Sequence, residues 1–296
     1  MQTDTVLDYL AHVTHIEFGR FTPLFICGQR LGYVNQQWVE RLQETESHLF
    51  TLVSGQMICH ARGEYAVLSE QLEEAAVRWR DAGWLTAWRN EKFTAMRHDG
   101  LPLFDLERAA FRPLGLTSRA VHINGLCRLP NGEVRMWVAR RSPSKAVDPN
   151  RMDNMVGGGI AAGETIELAL QREGWEEAGI GAARLSALSE VSLIFAVRPV
   201  VRGLHREWLH VFDLWLEHDV IPCNQDGEVA EHVLLSLAEV EALIIEGRFM
   251  IDAALAATDC LARFNYWGDA SKTVLQALHR EADVYTYCHV MSDTDR

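Results

Sequence analysis

The sequence predicts an α/β protein, in which a mixed sheet lies between helices and a smaller α+β domain precedes it. Strand patterns alternate with helix patterns along residues 117–296, and the turn motif Pro130-Asn131-Gly132 joins two of the strands. Residues 1–116 carry shorter patterns and no motif that bears chemistry. We therefore predict two domains, an N-terminal accessory α+β domain over 1–116 and a second domain over 117–296.

The accessory domain is predicted to combine helices with a pair of strands. Residues 5–13 and 68–79 have helical periodicity. Residues 25–34 have the pattern of two strands, with Gly28 and Gly32 as turn or bulge positions.

Three tryptophans of this domain, Trp79, Trp84 and Trp88, lie close together in the sequence. We interpret them as core residues, because large indole rings are usually buried. The alternative is that the segment W-R-N-E at 88–91 faces a cleft and contacts a substrate ring.

The second domain shows longer strand and helix patterns. Val134, Met136 and Val138 alternate with polar or bulky residues, as expected for a strand. The pattern at 207–216 alternates with a slip near Phe212. The predicted strands are 120–128, 134–140, 188–197, 207–216 and 233–237, and the predicted helices after them are 238–247, 251–264 and 271–279.

A helix that follows a glycine-rich turn carries the most informative pattern. Thr165 is a suitable N-cap and Gly179 a suitable left-handed C-terminal residue for this helix. Glu173, Glu176 and Glu177 stand at i, i+3 and i+4, so their side chains share one face. A hard divalent cation such as Mg²⁺ would relieve the repulsion among three carboxylates. The alternative is an ordinary solvated face.

The run from Gly158 to Ile180 resembles the Nudix box, whose pattern is G-x5-E-x7-R-E-U-x-E-E-x-G-U with U an aliphatic residue. One position departs, because Gly174 stands where an aliphatic residue or Ala is usual. This glycine removes a packing side chain and costs about 1 kcal/mol of helix propensity relative to Ala. The positions that match are Gly158, Glu164, Arg172, Glu173, Glu176, Glu177, Gly179 and Ile180.

The resemblance to the Nudix hydrolase superfamily implies an α/β/α sandwich with a mixed sheet. Further segments, such as G-L-T-S-R-A-V-H-I-N-G-L and H-V-F-D-L, are similar to the Nudix portion associated with fungal thiamine pyrophosphokinase, including its extra N-terminal domain. The implied activity is metal-dependent hydrolysis of a small organic diphosphate, with Mg²⁺ or Mn²⁺. Damaged thiamine diphosphate, cleaved to the monophosphate and phosphate, is the substrate that this subgroup suggests.

The same resemblance assigns roles to individual residues. Glu173, Glu176 and Glu177 would hold the metal, and Glu173 and Glu177 would take part in catalysis. Arg172 would pair with Glu164 and fix the loop to the helix. Backbone N–H groups at Gly158 and Gly159 could bind an oxyanion, and the basic residues Arg141 and Lys145 could contact the terminal phosphate.

A general base is also required. Glu228, in Q-D-G-E-V, is the first choice, because Nudix enzymes often supply an acid at this place. Glu231 is the second choice, and one of the box glutamates is a further candidate. Asp226 and Glu228 could instead be turn residues.

Composition limits the class of protein. The net charge of −13 argues against binding to a nucleic-acid backbone. No apolar stretch is long enough for a membrane span, and no secretory signal is visible. The six cysteines form no C-x-x-C pair, which is typical of free thiols in a reducing cytoplasm. The expected partner is a small-molecule diphosphate. The sequence leaves the oligomeric state open, with a homodimer as one alternative because Nudix domains often pair.

Two other functions remain open on the sequence. One is a non-catalytic ligand-sensing protein on a Nudix frame, which the intact set of carboxylates disfavours. The other is an isomerase of allylic diphosphates, in which Cys127 would belong to a protonating pair.

Overall fold

The computed structural model describes residues 2–145 and 148–279, with side chains from Thr5 onward. The predicted end of the second domain and Cys288 lie outside the described residues. The N-terminal elements, in chain order, are α1 (Gln2–Val13), β1 (Phe21–Ile26), β2 (Gln29–Asn35), α2 (Gln36–Thr45), β3 (Phe50–Val53), β4 (Gln56–Cys59), α3 (Tyr65–Asp81), β5 (Lys92–Met96), β6 (Pro102–Glu107) and α4 (Arg108–Leu114).

These elements form two sheets. β2, β1, β4 and β3 lie side by side in that order, and β5 pairs with β6 as a separate antiparallel ribbon. The predicted strand pair is confirmed as β1 and β2, and the chain turns at Gly28, whose φ is 76°. Gly32 lies within β2, where an added Cβ would stand 2.2 Å from the carbonyl oxygen of Leu114. The register of β1 and β2 shifts beside Gly32, between Leu24 and Phe25, so the bulge expected here is confirmed. Glycine is also required there by the close backbone approach.

The remaining elements belong to the second part of the chain. They are β7 (Thr117–Arg128), β8 (Val134–Arg141), β9 (Met152–Asn154), β10 (Val156–Gly159), α5 (Ile166–Ala178), α6 (Ala182–Leu185), β11 (Glu190–Val200), β12 (Gly203–Leu216), β13 (Val229–Ser236), α7 (Leu237–Ile245), α8 (Ile251–Arg263) and α9 (Ser271–Leu278).

The predicted mixed sheet is confirmed. Its order is β11-β12-β7-β8-β13, with β10 beside the first half of β7 and β9 beside β8. β7 and β12 run parallel, and the other pairs are antiparallel. Helix α5 packs on one face of the sheet, and α8 and α9 pack on the other. The first helix, α1, joins this second face, where Val6 and Leu10 are buried.

The slip that the pattern near Phe212 suggested is not a break in β12. Leu209 and Val211 are buried on the side of α8, whereas Phe212 and Leu214 are buried on the side of α5. A strand that is buried on both faces loses the simple alternation of apolar and polar residues.

The tryptophan cluster is confirmed as part of a core. Trp79 is fully buried and meets the ring of Trp38 edge-on at 5.2 Å. Trp84 and Trp88 pack against the same core. The guanidinium of Arg80 covers the ring of Trp88 at 4.8 Å, so this ring is not presented to a substrate on that face.

The hairpin prediction is also confirmed, since the N–H of Leu129 donates to the carbonyl oxygen of Glu133 at 2.8 Å.

Within the described residues, no helix combines the length and the apolar character that a membrane crossing requires. The cysteines in this part of the chain are free: Cys27, Cys59, Cys127, Cys223 and Cys260.

Gly174 has a packing role that the sequence did not indicate. An added Cβ would stand 2.6 Å from Cδ1 of Leu185, a fully buried residue of α6. Leu185 therefore occupies the space that an aliphatic side chain at position 174 would need.

We expect Gly174→Leu to lower the free energy of unfolding by about 1–3 kcal/mol, because it overpacks this contact. Leu185→Ala alone is expected to cost about 2–5 kcal/mol. Urea denaturation of both variants and of the double variant measures the coupling, and the double variant should cost less than the sum. Additive costs would contradict this account of Gly174.

Candidate active site

Helix α5 places the box carboxylates, and its ends are fixed as the sequence predicts. The hydroxyl of Thr165 accepts from the N–H of Leu168 at 3.1 Å, and Gly179 ends the helix with φ of 66°. Ala169 and Leu170 anchor the helix to the sheet. The side of α5 nearest β10 carries the acidic groups.

The glycine triplet at 157–159 differs from the expected turn. It is strand β10, paired antiparallel with β7, and the turn follows it at Gly163, whose φ is 82°. Glycines carry no hydrophobic periodicity, so the pattern could not reveal a strand here. Because these three residues have no side chains, α5 can approach the backbone of β10 closely.

Glu177 lies in the middle of this interface and is only 4% exposed. Its Oε2 accepts from the N–H of Gly157 at 2.8 Å. Burial raises the pKa of Glu177 to about 8, and the nearby carboxylates of Glu173 and Asp153 add to the rise. Lys145 Nζ lies 3.8 Å from Oε1 and acts in the opposite direction.

Glu173 lies one turn earlier on α5 and is 9% exposed. A Cβ at Gly158 would stand 1.9 Å from its Cδ, so only glycine leaves room for this carboxylate. Burial raises the pKa of Glu173, while Arg172, which donates to Oε1 at 2.7 Å, acts against the rise. Glu176 stands at the rim, where Arg172 Nη1 donates to its Oε2 at 3.3 Å.

The predicted pair of Arg172 and Glu164 is confirmed as a contact. Arg172 donates through Nε and Nη2 to the two oxygens of Glu164, at 2.6 and 2.9 Å. Nη2 also donates to the carbonyl oxygen of Gly159 at 3.1 Å, so one guanidinium joins the helix, the loop and β10. These bonds hold the pKa of Glu164 below its ordinary value.

The predicted phosphate-binding cations lie beside the same carboxylates. Arg141 is buried and donates to Oδ2 of Asp153 at 2.6 Å. Lys145 donates to the carboxylate of Glu228 and lies near Glu177, and burial lowers its pKa. Both cations thus contact acidic side chains of the site.

The candidate bases occupy different positions. Glu228 is linked to the site because its carboxylate accepts a hydrogen bond from Lys145. The carboxylate of Asp226 instead accepts from the backbone N–H of Glu228 at 2.8 Å and stabilises the turn. Glu231 points to another partner, since Arg140 Nε donates to it at 2.6 Å. Cys127 is fully buried in the hydrophobic core under α5, which argues against the protonating role considered for this thiol.

The sequence did not indicate several buried polar residues near the site. His122 Nδ1 donates to Oδ1 of Asn154 at 2.8 Å, and Asn154 Nδ2 donates to Oδ1 of Asn124 at 2.8 Å. Asn124 in turn donates to Asp213 at 3.1 Å. The chain fixes the orientation of His122, whose ring lies beside Gly157. A lone His or Asn in a strand carries no motif, so no pattern signalled this network.

A second cluster of ligand-type side chains lies elsewhere in the fold. His205, Glu207 and Asp252 bring their ligand atoms within 4.8 Å of one another, a closer set than the box carboxylates form in the described residues. Arginines already occupy it: Arg112 Nε donates to Nδ1 of His205 at 3.2 Å, and Arg198 Nη2 donates to Asp252 at 3.0 Å. The contacts therefore fit an ion-pair network rather than a metal site.

The box carboxylates, in contrast, fit a hard divalent cation. Glu173 and Glu177 are two buried carboxylates on one helix face, and hard cations prefer oxygen ligands of this kind. Burial raises the pKa of Glu177, and repulsion from Glu173 adds to the rise; a cation held by both carboxylates would offset these penalties.

The Arg172–Glu164 pair gives a test of local rigidity. We expect Glu164→Gln to weaken Mn²⁺ binding by about 10- to 100-fold, because supporting residues around metal ligands have effects of this size. The melting temperature should change little, since the pair is partly exposed. Titration of Mn²⁺ followed by electron paramagnetic resonance measures the affinity, and an unchanged affinity would count against the role of Glu164.

Comparison with known proteins identifies the family of the chain. The family model of the NUDIX domain matches residues 119–253, and a model described as a domain of unknown function, DUF4743, matches residues 6–118. Nudix hydrolase 20, chloroplastic, of Arabidopsis thaliana is 30% identical over 276 residues, which cover 89% of this chain and 73% of that protein. Nudix hydrolase 24, chloroplastic, of the same plant is 29% identical over 262 residues, which cover 83% of this chain and 68% of that protein.

Among solved structures, a crystal structure of a Deinococcus radiodurans protein matches 57% of this chain and 99% of its own, with 25% identity and a TM-score of 0.44. The chain belongs to the Nudix family. It is a Nudix hydrolase, an enzyme that acts on pyrophosphate bonds, and members of this family generally use a divalent metal ion.

Proposed function

We propose that this enzyme cleaves the diphosphate linkage of a small organic diphosphate with Mg²⁺, for which Mn²⁺ can substitute. The observation that carries the proposal is the pair of buried carboxylates, Glu173 and Glu177, which α5 holds against the glycine strand β10. Glu176, at the rim of the same face, is proposed as the third metal ligand.

A bound divalent cation would lower the pKa of a water molecule and neutralise charge on the diphosphate oxygens. The residues of the chain supply the rest. Glu173 and Glu177 provide oxygen ligands, and Arg172 keeps Glu173 in place through a 2.7 Å hydrogen bond. Backbone groups around Gly158 and Gly159 are proposed to bind an oxyanion.

Glu228 is proposed as the general base. Its main chain is held by the N–H of Ser142, which donates to its carbonyl oxygen at 2.9 Å, while its side chain stays 37% exposed. It can therefore meet a water molecule from the solvent side of the site. Arg141 and Lys145 are proposed to exchange part of their contacts with acidic side chains for contacts with the phosphates.

The finer proposal is that the organic group is thiamine in an oxidised or damaged form, which would give the monophosphate and phosphate. The support is the similarity of several segments, H-V-F-D-L among them, to the subgroup associated with thiamine pyrophosphokinase. Residues 1–116 are proposed to act as an accessory domain of this site. A homodimer and a cytoplasmic location stay predictions.

Product analysis with a panel of diphosphates tests the proposal. The panel contains thiamine diphosphate, its oxidised forms, ADP-ribose and nucleoside diphosphates, each with Mg²⁺. We expect the fastest release of phosphate from an oxidised thiamine diphosphate and none when EDTA replaces Mg²⁺. A preference for ADP-ribose would reject the thiamine proposal, and no turnover of any member would reject the small-diphosphate proposal.

A further inference from the structure

A loop of the N-terminal part reaches the edge of the site. Arg89 Nη1 lies 3.7 Å from Oε1 of Glu228, the residue that also accepts from Lys145. Lys145 in turn lies 3.8 Å from Glu177. A continuous series of alternating charges therefore runs from the buried carboxylates to Arg89.

The backbone of this loop is held in a fixed shape. Glu107 is buried, and its carboxylate accepts from the N–H groups of Arg89 and Glu91 at 3.2 and 3.1 Å. Ala87 has φ of 61°, a left-handed conformation that costs an alanine about 1–2 kcal/mol, whereas Asn90, with φ of 56°, is a residue type that adopts this conformation more readily. A strained conformation of this kind persists only where surrounding contacts determine it, and such positions are common at ligand sites.

The loop is also attached to the Nudix box. The N–H of Ala162 donates to the carbonyl oxygen of Lys92 at 2.8 Å. The ring of Phe93 lies against Gly159, where an added Cβ would stand 2.8 Å from Cζ. The position of Arg89 is thus set relative to the glycine strand.

The ion pair that Arg89 makes is a weak one. The side chains of Arg89 and Glu228 are 41% and 37% exposed, and 3.7 Å exceeds hydrogen-bond length for a nitrogen and an oxygen. Exposed pairs of this kind contribute little. A phosphate carries more charge than a carboxylate and suits the two-donor geometry of a guanidinium, so it can displace Glu228 as the partner of Arg89.

We propose that Arg89 is a substrate-binding residue, which binds a phosphate group of the diphosphate, so that the N-terminal part of the chain completes the substrate site. This inference rests on the proposed function, because it assumes a diphosphate beside Glu173 and Glu177. Among the residues 88–91, Arg89 takes this role, whereas the indole nitrogen of Trp88 donates within the loop to Asn90 at 2.8 Å.

Binding of methylenediphosphonate, which is not hydrolysed, tests the proposal by isothermal titration calorimetry at saturating Mg²⁺. We expect Arg89→Met to raise Kd about tenfold or more, as for loss of a charge-assisted hydrogen bond. Arg89→Lys should recover part of the affinity. The matched control is Arg97→Met, because Arg97 is 40% exposed and pairs with Asp99 in the same part of the chain.

Hydrolysis kinetics add a second measure, with the diphosphate of the panel that the wild type cleaves fastest. Arg89→Met should raise KM about tenfold with kcat within about threefold, because the contact is made in ground state and transition state alike. The role of Arg89 would be overturned if Kd and KM of the variant stayed within twofold of wild type, or if only kcat fell. It would also be overturned if the wild type did not bind methylenediphosphonate. Failure of the proposed function is a different result, namely that the wild type itself hydrolyses no diphosphate.

Discussion

Replacing Glu177 by glutamine is expected to lower turnover by roughly 10³-fold or more, because a carboxylate that binds the metal is lost. The melting temperature should stay the same or rise in metal-free buffer. Burial raises the pKa of Glu177 to about 8, so the charged form is penalised in the metal-free protein, and a neutral amide of the same shape removes that penalty. The amide oxygen can still accept from the N–H of Gly157, which the carboxylate does at 2.8 Å.

Steady-state kinetics and differential scanning calorimetry measure these two effects. Glu217→Gln is the matched control, since Glu217 pairs with Arg184 and its side chain is 60% exposed. Turnover of the Glu177 variant within a few-fold of wild type would remove Glu177 from the metal site. A large fall in melting temperature would show that the residue is structural.

Replacing Gly158 by alanine is expected to have a similarly large effect on activity. The new Cβ would stand 1.9 Å from Cδ of Glu173, closer than any real contact, so the carboxylate or the strand must move. A displacement of about 1 Å near reacting groups can cost about 10²-fold in rate. We therefore expect turnover to fall at least 100-fold and Mn²⁺ affinity to fall with it.

Gly19→Ala provides the control for a change of glycine to alanine, because no heavy atom lies within 4 Å of a Cβ at Gly19. Its activity and stability should match those of the wild type. Wild-type turnover and Mn²⁺ affinity in Gly158→Ala would show that neither depends on the position of the Glu173 carboxylate in this structure.

The sequence was most informative where spacing alone defines geometry. Glu173 and Glu177 are one helical turn apart, so a helix between Thr165 and Gly179 places both on the face that meets β10. The contact between Arg172 and Glu164 was predictable for the same reason, because both lie within one motif. The strands β7, β8 and β12 were predictable because long apolar patterns mark them.

Other parts of the site were not predictable, because they depend on contacts between distant segments. Asp153 comes from β9, a strand of three residues, which is too short for a pattern. Gly157, Gly158 and Gly159 form a strand that has no side chains to alternate. Arg89 reaches Glu228 across 139 positions of the chain, and only the packing of the accessory part against the box brings them together.

The metal site can be located from the anomalous scattering of Mn²⁺ in crystals of the protein. We expect a peak bound by carboxylate oxygens of Glu173 and Glu177 beside β10. A peak at His205, Glu207 and Asp252 instead, or no peak near α5 at millimolar Mn²⁺, would contradict this expectation.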